Sequence, residues 1–334
     1  MSKVFIIAEA GVNHNGSLAI ARRLVSEAAK AGADAVKFQT FRADAIAAKN
    51  APKAMYQKKT TPKMQNQYQM LKALELNESD HRVLIAYCRT KKIKFISSPF
   101  DVESVRLLGR LGLDTIKIPS GEITNFPYLR EIGKMRKNIL LSTGMADKGE
   151  IAAALKILVG CGTSVEKITI LHCNTEYPTP FQDANLNAIV FLKKHFRMKT
   201  GYSDHTTGIE AALAAVALGA EVIEKHFTLD RKMRGPDHKA SIEPGELKRL
   251  VTSVRNIESA LGKTTKTVTN SERENRGIVR KSVFAAVDIA KGELFSEKNL
   301  TTKRPGTGIS PMLWDRIIGK KSVKKIPAGS MVKA

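Results

Sequence analysis

Short runs of β-branched and other apolar residues alternate along this chain with longer segments whose apolar residues recur every three or four positions. The runs VFIIAEA (4–10), ADAVKFQ (33–39), IKFISS (93–98), DTIKIPS (114–120), NILLST (138–143), KITILHC (167–173), KTGYSD (199–204) and EVIEKHF (221–227) predict eight strands. Between them, segments such as LAIARRLVSEAAKAG and SVRLLGRLG carry helical spacing and end in glycines suited to a left-handed cap. Eight βα units predict an α/β fold, a TIM barrel. One connection breaks the rhythm. Some forty Lys-, Gln- and Thr-rich residues (40–78) separate the second strand from its helix at 79–92, and they predict a lid with a short helix at about 66–75.

After a last helix at 244–261 the pattern changes. A polar, aperiodic stretch at 262–275 predicts a linker, and Gly- and Pro-punctuated short strands over 276–334 predict a small, mainly-β second domain after a barrel spanning 1–261. About sixty residues make a marginal core, so this domain is expected to lean on another surface.

Composition narrows the chemistry. The 334 residues carry a net charge of +23, and residues 276–334 hold thirteen Lys and Arg against four Asp and Glu. Aromatic residues are only 6% of the chain, too few for the stacking platforms of single-strand binders. The expected partner is therefore an anionic small molecule and not nucleic acid. No apolar run reaches the length of a membrane span, so no membrane is expected. The three cysteines, Cys88, Cys161 and Cys173, lack metal-knuckle spacing and fit a reducing, cytoplasmic setting.

Barrel active sites lie at the C-terminal ends of the strands, and here those ends are polar. They carry Glu9, Asn13 and His14; Lys37 and Gln39; Ser97 and Ser98; Lys117, Ser120 and Glu122; Ser142; His172, Asn174 and Tyr177; Ser203, Asp204 and His205; and Glu224, Lys225 and His226. Unsatisfied buried polar groups cost about 1–3 kcal/mol each, so convergence on one pocket is the expected arrangement. His205 and His226 end neighbouring strands and form a candidate divalent-cation pair, with Glu9 and Asp237 nearby. Lys37 and Lys117 fall in phase with inward positions. Three readings of these lysines stay open at this point: ligands of an anionic substrate, internal ion pairs with Glu9 or Glu122, or a Schiff-base lysine, which the many hydroxyls and the His pair disfavour.

The segments AEAGVNHNG (8–16), VKFQTF (36–41), KIPSGE (117–122), LSTGM (141–145), LHCNTEYPTPF (171–181), GYSDHTTG (201–208), IEKHFTLD (223–230) and GPDHKASIEP (235–244) resemble the N-acetylneuraminate synthase family. The tail, through KSVFAAVDIAKGE (281–293) and LTTKRPGTGISP (300–311), resembles that family's antifreeze-like (SAF) domain. Two positions depart from the pattern: Ser98 replaces an expected threonine, and Arg234 an expected small polar residue. The resemblance implies a transferase that condenses phosphoenolpyruvate with N-acetylmannosamine and water, giving N-acetylneuraminate and phosphate by C–O cleavage. It places Lys37, Ser98, Lys117, Ser120, Ser142, Asn174 and Ser203 around phosphoenolpyruvate. Gln39, Tyr177, Asp237 and Arg304 would face the N-acetylated amino sugar, with Glu122 and Glu9 catalytic and His205 and His226 binding Mn2+ or Mg2+. It also implies a domain-swapped homodimer. The rival within the family is an N,N'-diacetyllegionaminate synthase acting on a 2,4-diacetamido-trideoxy sugar. A basic polyanion-binding or ice-binding protein is the distant alternative.

Overall fold

The computed structural model describes residues 3–53 and 66–333; the centre of the anticipated lid, 54–65, lies outside the described residues. The chain divides into two compact units, 1–262 and 263–334. In the first, strands β1 (Phe5–Gly11), β2 (Ala35–Thr40), β3 (Lys94–Pro99), β4 (Thr115–Ile118), β5 (Asn138–Ser142), β6 (Ile168–Cys173), β7 (Lys199–Asp204) and β8 (Val222–His226) pair in sequence order. β8 returns to β1, with Glu9 opposite His226, and closes the barrel. This is the TIM barrel expected. β4 is shorter than its apolar run because Pro119 ends it and a 3-10 turn, Ser120–Glu122, begins. The helix expected at 79–92 spans Glu78–Thr90.

Strand period two sorts the side chains into layers. Ile7, Ala35, Ile96, Leu140, Leu171 and Val222 form an apolar cluster inside the barrel. Two residues further along each of several strands, on the same inward face, come Glu9, Lys37, Ser98, Ser142 and Glu224. Gly201 is required between them: a Cβ there would stand 2.5 Å from the Val222 carbonyl oxygen and 2.6 Å from a Leu171 methyl. The alternate strand residues, among them Ile6, Ala8, Val36, Phe38, Ile116, Ile118, Leu141 and Ile223, face the helices and make the main core.

Among the described residues, the insertion after β2 carries two short helices, Ala43–Ile46 and Gln67–Lys72. No helix among the described residues is long and apolar enough to cross a membrane.

The second unit has an antiparallel pair, β9 (Ser282–Ala285) and β10 (Leu300–Lys303), around a core of Val283, Ala285, Ile289, Phe295, Leu300, Ile317, Ile326 and Val332. A helix, Asn270–Val279, begins within the stretch anticipated as an aperiodic linker and runs past its end, started by a capping box between Thr269 and Glu272. Its lack of apolar periodicity has a simple cause: this helix buries no residue.

Candidate active site at the barrel mouth

A cavity of about 380 Å3 opens at the C-terminal end of the barrel. Glu9, Lys37, Gln39, Ser98, Lys117, Ser120, Glu122, Ser142, Tyr177, Ser203, His205, His226 and Asp237 all line it. Asn174 does not. Its side-chain oxygen accepts from the Glu176 amide at 2.7 Å, and its amide reaches the Asp183 carbonyl, so the group is spent on shaping its own loop. Cys173 and Thr175 line the cavity beside it. Arg304 belongs to the second unit.

Convergence on one pocket holds for the inward strand positions and fails for the outward ones. Lys225 ion-pairs with Asp204 at 2.6 Å and bonds the Thr206 carbonyl. His172 donates to the Ala184 carbonyl and stacks on Tyr202. Ser97 bonds Thr40, which in turn meets His81. Asn13 donates to the Phe227 carbonyl and Ser241. These groups are satisfied between the barrel and its helices, because successive residues of a strand face opposite sides.

At the cavity floor the lysines are paired. Lys37 Nζ lies 2.8 Å from Glu9 and 3.7 Å from Glu224, and donates to Ser98 Oγ at 3.0 Å. Lys117 Nζ lies 2.6 Å from Glu224 Oε1, which also accepts from Ser203 Oγ at 2.8 Å. Glu122, offered in the sequence as a partner, instead accepts from Asn125 Nδ2 at 2.6 Å. The residue missed as the central counter-ion is therefore Glu224. Its signal was present, since it sits two residues after inward Val222 and two before His226.

Burial drives the electrostatics. It would raise the Glu224 carboxyl, but Lys117 and Lys37 outweigh it and hold the group well below the usual range. Glu9 is pushed up, by burial first and by Glu224 next, against the pull of Lys37. Burial pulls Lys37 down, yet Glu224 and Glu9 leave it above the ordinary value. Asp237 rises to about 7 through burial and the neighbouring Glu9.

His205 and His226 face each other with ring centroids 5.3 Å apart, and the Tyr177 ring packs on both. Burial holds His205 down to about 4; burial, then the charges of His205 and Lys37, hold His226 well below its usual value. Both imidazoles are thus neutral. His205 Nδ1 contacts the Asn174 carbonyl, which only accepts, so the proton sits there and Nε2 keeps its lone pair. His226 Nδ1 is buried without a hydrogen-bond partner. The pair offers a cation neutral nitrogen donors, one oriented by a main-chain oxygen as metal-bound imidazoles commonly are. Among the described residues no three His, Cys, Asp or Glu side chains are grouped to hold a metal.

A closed eight-stranded barrel with a hydroxyl-rich, charge-paired mouth, followed by a small antiparallel unit, defines a TIM-barrel protein with a C-terminal SAF-type domain. The chain belongs to the NeuB family: that family's model matches residues 24–266, and the SAF domain model matches 280–334. The chain is 54% identical over 333 residues to the N,N'-diacetyllegionaminic acid synthase of Campylobacter jejuni, covering 100% of both chains. It is 46% identical over 329 residues to the Legionella pneumophila enzyme of the same name, covering 98% of this chain and 92% of the other. Among solved structures it resembles the N-acetylneuraminic acid synthetase of Leptospira borgpetersenii, with a TM-score of 0.72 and 36% identity over 82% of this chain and 90% of that one. These identities overturn the expectation of an N-acetylneuraminate synthase acting on N-acetylmannosamine.

Proposed function

We propose that the chain is an N,N'-diacetyllegionaminate synthase, which joins phosphoenolpyruvate to 2,4-diacetamido-2,4,6-trideoxymannose. The observation that carries this reading is the 54% identity to the Campylobacter synthase across the whole of both chains. C3 of phosphoenolpyruvate attacks the aldehyde carbon of the open-chain sugar, forming the C–C bond as the aldehyde oxygen takes up a proton. Water adds at C2, loses its proton, and phosphate leaves with the C2–O bond.

Lys37 and Lys117 hold the phosphate and carboxylate, with Ser98, Ser120 and Ser142 donating to the remaining oxygens, and Ser203 joins them once its proton turns from Glu224 to the substrate. Ser120 is positioned for this, since its Oγ accepts the Gly144 amide at 3.0 Å and has only the weak partner Cys173 Sγ, at 3.1 Å, besides. Glu9, Gln39, Tyr177 and Asp237 face the sugar, and Glu122, on its 3-10 turn at the rim, moves the proton at the aldehyde oxygen. His205 and His226 would hold Mn2+ or Mg2+, which supplies Lewis acidity when bound. The family resemblance favours a cytoplasmic homodimer in which Arg304 of one chain completes the sugar site of the other.

The test is phosphate release with phosphoenolpyruvate and one sugar at a time. The diacetamido sugar should exceed N-acetylmannosamine in kcat/KM by at least about tenfold. Equal turnover, or a preference for N-acetylmannosamine, overturns the reading.

A further inference from the structure

The cavity is two-sided. Its floor is charged or hydroxylic and the rim from β4 to β8 is mixed, with Ser120, Glu122, His205 and Asp237 beside Met145 and two prolines, whereas the segments that follow β1, β2 and β3 present Val12, Ile46, Met70, Leu71, Leu74 and Phe100 with Gln67 the one polar residue among them. These six are not an extension of the barrel core. With Phe41 they form a separate apolar cluster, in which Val12, Met70 and Leu74 are buried while Ile46, Leu71 and Phe100 keep part of their surface open.

The helix Gln67–Lys72 explains the orientation. Gln67, Met70, Leu71 and Leu74 recur at spacings of three and four, so one helical face turns to the cavity. The other face is tied down: Tyr68 Oη donates to Asp44 at 2.7 Å, and Lys72 bridges Asp44 and Glu75. Glu75 in turn accepts the Ala43 amide at 2.7 Å. The helix end is seated on the loop after β1, where the Ala73 carbonyl oxygen occupies the space of a side chain at Gly16. A Cβ there would lie 2.4 Å from it, at a φ of +74°. The apolar wall is thus held by its own anchors.

We infer that this wall is the subsite for the methyl-bearing, non-reacting end of the sugar, and that Leu71 and Ile46 select a 6-deoxy sugar over its 6-hydroxy counterpart. The inference rests on the proposed function, which places the aldehyde at the charged side of the cavity. The other end of the sugar then meets the side where, among the described lining residues, six are apolar and Gln67 alone is polar. A methyl there replaces water at an apolar surface, whereas a hydroxyl loses its hydration without gaining a partner. Apolar contacts reject an added hydroxyl only moderately, by about 100-fold at most.

The experiment compares kcat/KM for N-acetylmannosamine and 6-deoxy-N-acetylmannosamine, which differ by one oxygen and share a single acetamido group. The wild type should favour the deoxy sugar by about 10- to 100-fold. Leu71→Asn and Ile46→Thr should each cut that ratio by about tenfold, while KM for phosphoenolpyruvate moves far less. Both positions are only partly buried, and Ile46→Thr keeps the branched shape, so at least one variant folds and reports. A wild type indifferent to the 6-hydroxyl, or a ratio unchanged in the folded variants, overturns the inference. Failure of the proposed function appears elsewhere, in the comparison of diacetamido and monoacetamido sugars.

Discussion

Lys117 Nζ and Glu224 Oε1 lie 2.6 Å apart at the floor of the barrel mouth, both side chains 4% exposed. The pair makes the proposed binding role of the lysine compatible with its burial, since the carboxylate neutralises the ammonium and a bound substrate anion would share that task. A buried pair contributes little net stability, but breaking it by removing one partner costs about 3–5 kcal/mol. Glu224→Gln should therefore lower the melting temperature clearly, because it leaves Lys37 and Lys117 with Glu9 alone. Adding phosphoenolpyruvate should recover more of that loss than it adds to the wild type. Lys117→Met should also destabilise, and the double variant should lose less than the two singles summed. Additive losses would show that the two groups act independently.

Asp237 gives a pH-dependent signature. Its carboxyl titrates near 7 in the folded chain, against an ordinary value of 3.8. A carboxyl raised by folding contributes stability that is complete below its unfolded value and is lost as pH climbs through its folded value. Asp237→Asn, which stays uncharged, should thus come nearest to the wild type below about pH 4 and surpass it increasingly as pH rises, by on the order of 4 kcal/mol near pH 8. Melting curves of the ligand-free proteins across that range are the check. Parallel profiles would remove Asp237 from the buried, Glu9-facing environment described for it.

The barrel was legible because period two and period 3.6 alternate cleanly, and the inward polar residues were legible because they extend the same period beyond the apolar layer. What escaped was connectivity among them. The sequence places Lys37, Lys117, Glu9 and Glu224 on one inner surface, but which carboxylate meets which lysine depends on register, and Glu9 stands opposite Lys37 across the β1–β2 ladder. Asn174 was misplaced because a residue just past a strand end belongs to its loop as readily as to the cavity. The side chains proposed here to select the sugar escaped for a related reason. The apolar wall comes from the insertion after β2, whose residues lack a long periodic pattern and take meaning only once Leu71 and Leu74 are seen against Val12 and Phe100.

For the two imidazoles, the prediction is direct cation binding. Mn2+ added to the metal-stripped wild type should lose its free-ion electron paramagnetic resonance signal, and His205→Ala and His226→Ala should each weaken binding by about 10-fold or more. Both variants should stay folded, since neither ring is part of an ion pair. Unchanged binding in both would take the pair out of the proposed cation site, whatever the effect on turnover.

The last prediction concerns the proposed sharing of the site between chains. If Arg304 of one chain serves the barrel of its partner, two inactive proteins, Glu122→Gln and Arg304→Ala, should complement each other when co-expressed. In a two-fold symmetric dimer each mixed pair has one site with both defects and one with neither. Random assortment makes half the dimers mixed, so activity should return to about a quarter of wild type. In the opposite arrangement, with Arg304 serving its own barrel, every site keeps one defect whatever its partner. Purifying the mixed dimer through two different tags separates these outcomes without relying on the assortment ratio. It should then show about half the wild-type activity per dimer if the site is shared, and none if it is not. An inactive mixed dimer that still binds phosphoenolpyruvate would end the proposal of a shared site while leaving the barrel chemistry intact.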